Sequence, residues 1–519
     1  KYSKRPSLWI MQKIGCPESF TDPLELYQLA RRRGMKAVTI TDHNFIDGCL
    51  SIAHLPDTFM GCEYTTYFPE DRCKIHVLTY GITEDQHKQL NQIRTNIYDF
   101  VDYLRANKIW HICAHPLFSP NDRLKIEHLE RLLLLFKNWE INGDLNPETN
   151  AAMLGVLESL TPEIMEKLAD KHGIIPGYEQ PWKKNLTAGS DDHGSLHVGQ
   201  SYTEVTGAGS LEEFRAGVES GQARTTVQQS TPHGLARNVY SITYQFYKDR
   251  LNLHRYVNKD LFLCFLERAM LPHREALDGG PSWYHRMFSR CLKPRRKNRK
   301  SATLIEMARL EAEKLIKDDP QLSAIVHEGQ GAAGDLDRQW EEFVNRLSSK
   351  VLVEFGRKTL DRLAGARLFD LFHSAGSAGA LYALLAPYFV GFSLHASQRT
   401  WARQVEKHFS SENPANGNGS KPRRIRVAHF TDTFDEDNSV ARTIRQSLES
   451  ALQTSADYTI LICAREGRTF QRGVRQFTSI GSFDLPEYPE LKVLCPPLLQ
   501  MLNHCYEEDY THIHIATPG

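Results

Sequence analysis

The sequence predicts a multidomain α/β protein with a helical region in its middle. Its 519 residues exceed what one hydrophobic core usually serves. Short helices alternate with short apolar strands from Thr21 to about Gln229, as in a βα barrel or a layered α/β domain, and a second such series follows the helical region. We therefore expect four parts: a barrel or layered α/β domain over 1–235, a helical region over 236–410, a linker over 411–422 and an α/β domain over 423–519.

The composition excludes several classes of protein. Hydrophobic residues make up 41% and charged residues 24% of the chain, which is typical of a globular protein and not of a disordered or collagen-like one. The 63 basic and 63 acidic residues cancel, so we expect no overall attraction to nucleic acid. The ten cysteines lack a framework spacing and no secretory signal follows Lys1, which together favour reduced thiols in the cytoplasm.

The first helix has clear start and stop signals. Asp22 is the expected N-cap, Pro23 occupies the first helical position and Glu25 is placed to complete a capping box. Gly34 follows an Arg-rich last turn and predicts the C-terminal stop. The apolar residues that follow predict a strand over Met35 to Thr41.

The alternation of helices and strands continues along the first domain. Thr58 to Tyr67 and Lys74 to Tyr80 are predicted strands joined by a polar turn. A helix over Tyr98 to Asn107 leads to a strand over Trp110 to Ala114, and the order recurs before Asp191. Repeated helix-to-strand units of this kind predict a sheet covered by helices.

Beyond the first domain the pattern changes twice. Ser301 to Lys317 and Asp335 to Arg367 are rich in Ala, Glu, Leu and Lys and predict long helices. Residues 411–420 contain no apolar residue larger than alanine and predict a linker. The last part has the order of a doubly wound α/β domain. Strands are predicted over Ile425 to Phe430, Tyr458 to Cys463 and Thr511 to Ala516, and a helix over Val440 to Leu452.

Six side chains of the metal-ligand type fall at or near strands of the first domain. Loops at strand ends are where barrels build their sites, and imidazole and carboxylate groups suit divalent transition metals. One histidine near a strand is more often a satisfied polar residue, so the prediction depends on the joint pattern. Asp191 and His193 share a Gly-flanked turn that lets both reach one ion, with Asp192 pointing elsewhere. The six residues are His43, Glu63, His76, His115, Asp191 and His193.

These residues lie in short motifs that resemble the PHP family, named after polymerase and histidinol phosphatase. The resemblance covers roughly residues 1–235 and includes Thr41 to Asn44, Ala114 to Pro116 and Gly189 to His193. It implies a distorted TIM-like barrel, two or three divalent ions (Zn, Mn or Fe) and phosphoester hydrolysis. It further implies that all six residues bind metal and that His43, His115, Asp191 and His193 are catalytic. The opening His-x-His of the family would lie before Lys1, so we expect a longer parent chain.

Other residues are weaker candidates for the surroundings of the site. Asp42 is expected to orient His43, and His233 to complete the rim. For Lys4 and Arg5 the favoured interpretation is solvated surface, with contact to a substrate phosphate as the alternative. The remaining neighbours, around the strand that begins at Asn138, are Glu140 and Asn142.

The last domain carries a second resemblance. Ile425 to Phe434, followed by Val440 to Thr443, is similar to the start of family-four glycosyltransferases of the GT-B architecture. The usual loop glycine of that family is replaced by Asp437 to Ser439, and any Rossmann-like first βα unit is the alternative interpretation. The donor half of such an enzyme would follow Gly519, so sugar transfer from a nucleotide-sugar is expected only in the longer parent.

Together the two resemblances imply a phosphoester hydrolase fused to a glycosyltransferase, acting on a phosphorylated small molecule or glycan precursor. The alternative is a catalytically silent metal-binding barrel that serves the transferase. A nucleic-acid enzyme is disfavoured by the neutral charge, and the basic run Lys293 to Lys300 is taken as a solvated loop. The uncharged stretch Leu371 to Gln398 favours a buried or interfacial helical hairpin over membrane contact.

Overall fold

A computed structural model gives the fold as mixed α/β with parallel sheets. The residues that it describes are 19–272, 304–328, 333–364, 368–412, 424–454, 456–464, 471–485 and 488–516. They form two compact units, of which the first contains 19–255, 270–272 and 393–412 and the second the remainder. The four domain boundaries given above stay predictions, and Lys4, Arg5, the basic run and most of the linker lie outside the described residues.

The first unit is built from short helices and strands in alternation. Its helices are α1 (Pro23–Arg32), α2 (Asp47–Ile52), α3 (Glu84–Ile93), α4 (Ile97–Ala106), α5 (Ile126–Leu135), α6 (Pro147–Glu158), α7 (Pro162–His172), α8 (Leu211–Glu219) and α9 (Pro232–Arg250). Its strands are β1 (Gly61–Tyr67), β2 (Lys74–Tyr80), β3 (Trp110–Cys113), β4 (Asn138–Asn142), β5 (Asn185–Gly189), β6 (Tyr202–Glu204) and β7 (Arg224–Thr226).

Five strands form the central sheet in the order β1-β2-β3-β4-β5. β2 runs antiparallel to both of its neighbours, whereas β3, β4 and β5 are parallel. The start of β2 therefore lies beside the carboxyl end of β3, and the backbone N–H of Ala114 donates to the carbonyl of His76 at 3.2 Å. Residues at the start of β2 and just after β3 to β5 consequently share one edge of the sheet.

Alternation along the strands gives the sheet two different faces. Cys62, Tyr64, Ile75 and Val77 point into the large apolar core beneath the helices. The residues between them, Glu63 on β1 and His76 on β2, must point to the opposite face. That face is packed by Leu78, Trp110, Ile112, Ala114 and Val218.

The first predicted helix is confirmed, and the strand after it is not. Asp22 caps α1 by accepting from the backbone N–H groups of Leu24 and Glu25, and Gly34 has a φ of +90°. Within the predicted strand Met35 to Thr41, Val38 forms one isolated parallel bridge with Thr58, and a second isolated parallel bridge joins His43 to Glu63 just after the predicted end. Asn44 has a φ of +61° and turns the chain immediately after His43, which ends the pairing there.

The second unit contains the remaining helices and a parallel sheet. The sheet has the order β10-β9-β8-β13, with the apolar residues of one face packed on α15 and those of the other on α16. This confirms the predicted doubly wound order of the last part. The elements are α10 (Leu261–Met270), α11 (Leu304–Asp318), α12 (Pro320–Glu328), α13 (Ala333–Ala364), α14 (Leu368–Glu412), β8 (Arg426–Phe430), α15 (Ser439–Thr454), β9 (Asp457–Ala464), β10 (Val474–Thr478), β11 (Gly481–Leu485), β12 (Tyr488–Cys495), α16 (Leu498–Glu507) and β13 (His512–Ile515).

The hairpin expected within Leu371 to Gln398 is wrong, because α14 is one continuous helix that contains Pro387. Among the described residues, no helix combines the length and the apolar character that crossing a bilayer requires. The last part of α14 belongs to the first unit, where Ala402, Val405 and Phe409 enter the large apolar core.

Polar contacts also fix this last part of α14 on the first unit. The backbone N–H of Asn146 donates to Gln398 Oε1 at 2.8 Å, and Arg399 Nε lies 2.9 Å from Glu148 Oε1. His395 is fully buried beside Asn146, and burial lowers its pKa to about 4. The carboxyl-terminal part of α14 is therefore held by both apolar and polar contacts.

Glu130 is the buried charge beneath this part of α14. Its carboxylate is fully buried and lies 2.7 Å from Lys171 Nζ, 2.7 Å from His172 Nε2 and 3.2 Å from His408 Nε2. Burial alone would raise the pKa of Glu130, but Lys171, His172 and His408 outweigh it and hold the pKa below its usual range. A lowered carboxyl pKa contributes stability above the unfolded value and loses it as the pH falls.

We expect Glu130→Gln to destabilise the first unit by about 3 kcal/mol at pH 7, because one partner of a buried charge cluster is removed. The difference should shrink as the pH falls below the unfolded carboxyl value of about 4.3, and it should disappear only below the lowered pKa of the folded Glu130. Urea denaturation at both pH values measures the effect. Glu127→Gln on the exposed side of the same helix is the matched control, and equal behaviour of the two variants would contradict the expectation.

Candidate metal centre

One oxygen of Glu63 is the centre of a cluster of three imidazoles. Glu63 Oε1 lies 2.8 Å from His76 Nδ1, 3.0 Å from His115 Nε2 and 3.8 Å from His43 Nδ1. His76 Nδ1 and His115 Nε2 are 3.1 Å apart. Glu63 and His76 are each 6% exposed and His115 is 4% exposed, so the cluster is shielded from solvent. Four of the six predicted ligands are therefore in direct contact.

The fold brings each of the four residues to this place by a local feature. Glu63 and His76 share the inner face of the antiparallel pair β1 and β2. His43 reaches Glu63 through the parallel bridge, in which the Asn44 N–H donates to the Glu63 carbonyl at 2.9 Å. His115 follows β3 directly and has a φ of +27°, a backbone conformation that is rare for a residue with a side chain.

The cluster is electrostatically polarised. Burial raises the pKa of Glu63, but His43, His115 and His76 outweigh this and hold it well below its usual range. Burial, together with His43 and His115, lowers the pKa of His76 to about 4. Burial also lowers the pKa of His115, but the bond to Glu63 and the charges of Glu63, Asp191 and Glu140 overcome it and raise the pKa to about 9. At neutral pH the metal-free cluster therefore pairs a carboxylate with a protonated His115 and a neutral His76.

Asp191 and His193 are the other two of the six predicted metal ligands. Asp191 follows β5 with a φ of +47°, and its Oδ2 accepts a hydrogen bond from Asn142 Nδ2 at 3.1 Å. His193 Nδ1 lies 2.9 Å from the Asp191 carbonyl, and the His193 ring is 6.5 Å from the His43 ring between centroids. Asp191 and His193 thus lie beside the Glu63 cluster, with His193 Nδ1 3.9 Å from Asp191 Oδ1.

The donor set fits a divalent transition metal. The ligand atoms of His43, Glu63 and His76 all lie within 4.8 Å of one another, so this buried group could hold a metal ion. His115 Nδ1 is buried and has no hydrogen-bond partner among the described residues. Two imidazole nitrogens and a carboxylate oxygen are ligand types that Zn, Mn and Fe accept.

Further acidic groups surround the ligands, and one of them had not been singled out from the sequence. Burial raises the pKa of Asp144 to about 7, with Asp191 and Asp192 adding to the effect. Asp144 follows β4 in the segment Asn142-Gly143-Asp144, a strand end beside a glycine like that of Asp191, and this was the signal that could have found it. Burial likewise raises the pKa of Glu140 to about 7.

The weaker candidates have different surroundings. Burial raises the pKa of Asp42 to about 6 against the charges of His43 and His193, so Asp42 lies close to both. Both carboxylate oxygens of Asp192 are buried without a hydrogen-bond partner in the described part of the chain, and Asp192 acts electrostatically on Arg33. His233 lies in the first turn of α9. Burial is the main cause of the lowered pKa of His395, and the charges of Arg399 and His233 add to it.

Four of the six ligand-type residues thus form a single contact cluster, and Asp191 and His193 lie beside it. Several strands and loops, and not any one loop, bring these residues together. Comparison of the sequence with family models gave no match, and a search of curated proteins found none that matches significantly.

Proposed function

We propose that the first unit is a metal-dependent phosphoester hydrolase of the PHP type, with its strands arranged as the distorted barrel of that family. The observation that supports this proposal is the contact of one buried Glu63 oxygen with three imidazole nitrogens, at 2.8, 3.0 and 3.8 Å. Asp191 and His193 at the same edge complete a set with room for two or three ions.

The residues of the site have distinct roles in this proposal. His43, Glu63, His76 and His115 would hold metal on one side, and Asp191 and His193 on the other. Bound Zn, Mn or Fe lowers the pKa of water and offsets the charge of the phosphate oxygens. The neutral His76 has a lone pair ready for binding, whereas His115 must first release its proton. Leu78 and Trp110, 4% and 5% exposed, exclude water from beneath the polar groups.

For the second unit we propose the first half of a GT-B glycosyltransferase domain. The support is a parallel sheet in the order β10-β9-β8-β13 with α15 and α16 on opposite faces. α15 begins at Ser439 after the loop that follows β8, and Asn438 Oδ1 accepts from the backbone N–H of Ala441 at 2.8 Å. In this proposal sugar transfer from a nucleotide-sugar needs the donor-binding half of the GT-B architecture as well, and the hydrolase acts on a phosphorylated glycan precursor or small molecule.

The hydrolase proposal is tested on the purified full-length protein. We expect two or three equivalents of divalent metal by mass spectrometry, and cleavage of aryl phosphate monoesters or diesters in the presence of Mn²⁺ or Zn²⁺. A chelator should abolish turnover and added metal should restore it. His115→Ala should lose activity at temperatures where it remains folded.

The alternative function, a silent metal-binding barrel that serves the transferase, has a different signature. It predicts stoichiometric metal, no cleavage of any ester, and a His115→Ala variant that changes only the melting temperature. Metal that is absent from the wild-type protein would contradict both functions.

A further inference from the structure

A carboxylate and an amide on β4 join the two halves of the ligand set. Glu140 is 6% exposed and Asn142 is completely buried. Glu140 Oε2 accepts from the backbone N–H of His115 at 3.0 Å and from Asn142 Nδ2 at 3.2 Å. The same Asn142 Nδ2 donates to Asp191 Oδ2 at 3.1 Å. One amide group therefore connects the residue that holds His115 to the carboxylate of Asp191.

The orientation of this amide is fixed by its other contacts. Asn142 Oδ1 accepts from the backbone N–H of Asp144 at 2.8 Å, so the NH₂ group must face the two carboxylates. The backbone of Asn142 is held by Asn150, whose Oδ1 accepts at 3.3 Å and whose Nδ2 donates at 2.8 Å. A flipped amide would place an oxygen against two carboxylates and lose the bond to Asp144.

Glu140 and Asn142 contact two residues, His115 and Asp191, whose backbone conformations need support. His115 and Asp191 have φ values of +27° and +47°, and such conformations persist only when the surroundings impose them. The bonds from Glu140 to the His115 N–H and from Asn142 to the Asp191 carboxylate act at these two places. Gly189 leaves space for Glu140, since a Cβ at position 189 would lie 2.4 Å from Glu140 Oε1.

We propose that Glu140 and Asn142 are positioning residues that set the separation between the two halves of the metal site, with Glu140 aiming His115 and Asn142 aiming Asp191. This inference rests on the proposed function. Neither residue has to touch a metal ion for this role. Outer groups that orient ligands in this way change metal affinity or activity by about 10- to 100-fold when they are removed.

The test compares two asparagines that bond to each other. Asn142→Ala removes the donor to Asp191, whereas Asn150→Ala removes two hydrogen bonds to the Asn142 backbone and leaves that donor in place. Metal-free full-length protein is titrated with Co²⁺, and its absorption spectrum, thermal melting and aryl phosphate hydrolysis are recorded. We expect Asn142→Ala to weaken at least one Co²⁺ equivalent by about 10- to 100-fold, and Asn150→Ala to lower the melting temperature with Co²⁺ affinity close to the wild type.

Glu140 supplies a second pair of variants should Asn142→Ala fail to fold. Glu140→Gln keeps an acceptor oxygen for the His115 N–H and the Asn142 amide, so it should retain Co²⁺ affinity better than Glu140→Ala. Equal Co²⁺ affinities for Asn142→Ala and Asn150→Ala, or for the two Glu140 variants, would overturn the inference while leaving wild-type hydrolysis intact. A wild-type protein that neither binds Co²⁺ nor cleaves an ester would overturn the proposed function itself, and the inference with it.

Discussion

Glu63→Gln is expected to remove the metal held by the four-residue cluster and to lower phosphoester hydrolysis by about 10³-fold, a loss typical of removing a charge-stabilising group from an active site. Glu63 Oε1 is the atom that His43, His76 and His115 all approach, so no neighbouring carboxylate can take its place in the cluster. A neutral amide is a poor ligand for Zn, Mn or Fe and cannot balance their charge. Metal content by mass spectrometry and turnover are measured on the same sample.

Glu158→Gln is the matched control, because Glu158 is exposed at the end of α6 and the same substitution there leaves the site intact. The control should retain both metal and turnover. A Glu63→Gln protein with its full metal complement and undiminished hydrolysis would show that the cluster is not the metal centre. Full metal with lost turnover would place the ion elsewhere and give Glu63 a different role.

Removal of metal is expected to make the stability of the first unit strongly dependent on pH. His115 has its pKa raised to about 9, so it contributes stability below its unfolded value near 6.5 and loses it as the pH rises through 9. His76 has its pKa lowered to about 4, so stability is lost as the pH falls from 6.5 towards 4. From these two groups the metal-free protein should be most stable near pH 6.5, with a loss on the order of 3 kcal/mol on the basic side.

Chemical denaturation from pH 4 to 10, with and without a chelator, measures this dependence. The metal-loaded protein should not lose unfolding free energy as the pH rises through 9, because metal has already replaced the proton of His115. In the metal-free protein, His115→Gln should abolish the loss of unfolding free energy at basic pH. His54→Gln, at an exposed position, should show the same loss as the wild type. Metal-free protein with equal unfolding free energies at pH 6.5 and 9.5 would contradict the assigned protonation of His115.

Much of the local structure of the first unit could be predicted from the sequence. The Asp22 cap, the Gly34 stop and the strands over 61–67, 74–80 and 110–113 follow from turn residues and apolar alternation, which act within a few positions. Elements of the second unit could be predicted equally well, since β8, α15 and β9 begin and end within one or two residues of their predicted bounds. The strand over Met35 to Thr41 was the exception, because only Val38 within it pairs, in an isolated bridge with Thr58, and such pairing depends on a distant partner and not on local sequence.

The candidate ligands were identified from the sequence only as a set, because one histidine or carboxylate beside an apolar strand is more often a satisfied polar residue. Their spatial arrangement could not be predicted from the sequence. No local signal tells that the Glu140 carboxylate accepts from the His115 backbone or that Asn142 reaches Asp191, at sequence separations of 25 and 49 residues. Asp144 was missed although it follows a strand end beside Gly143, because the burial and the charges of Asp191 and Asp192 that raise its pKa to about 7 are set by the tertiary structure.

The sequence by itself determined the alternation of elements and the chemistry of the six ligand-type side chains, because strand periodicity and side-chain type are local properties. The tertiary structure alone decided which of those side chains meet, and that the end of α14 returns to the first unit, where Gln398 bonds to Asn146 at a separation of 252 residues. Contacts over such distances depend on sheet order, register and burial, which are set by the packing of the whole unit and not by any short stretch of residues.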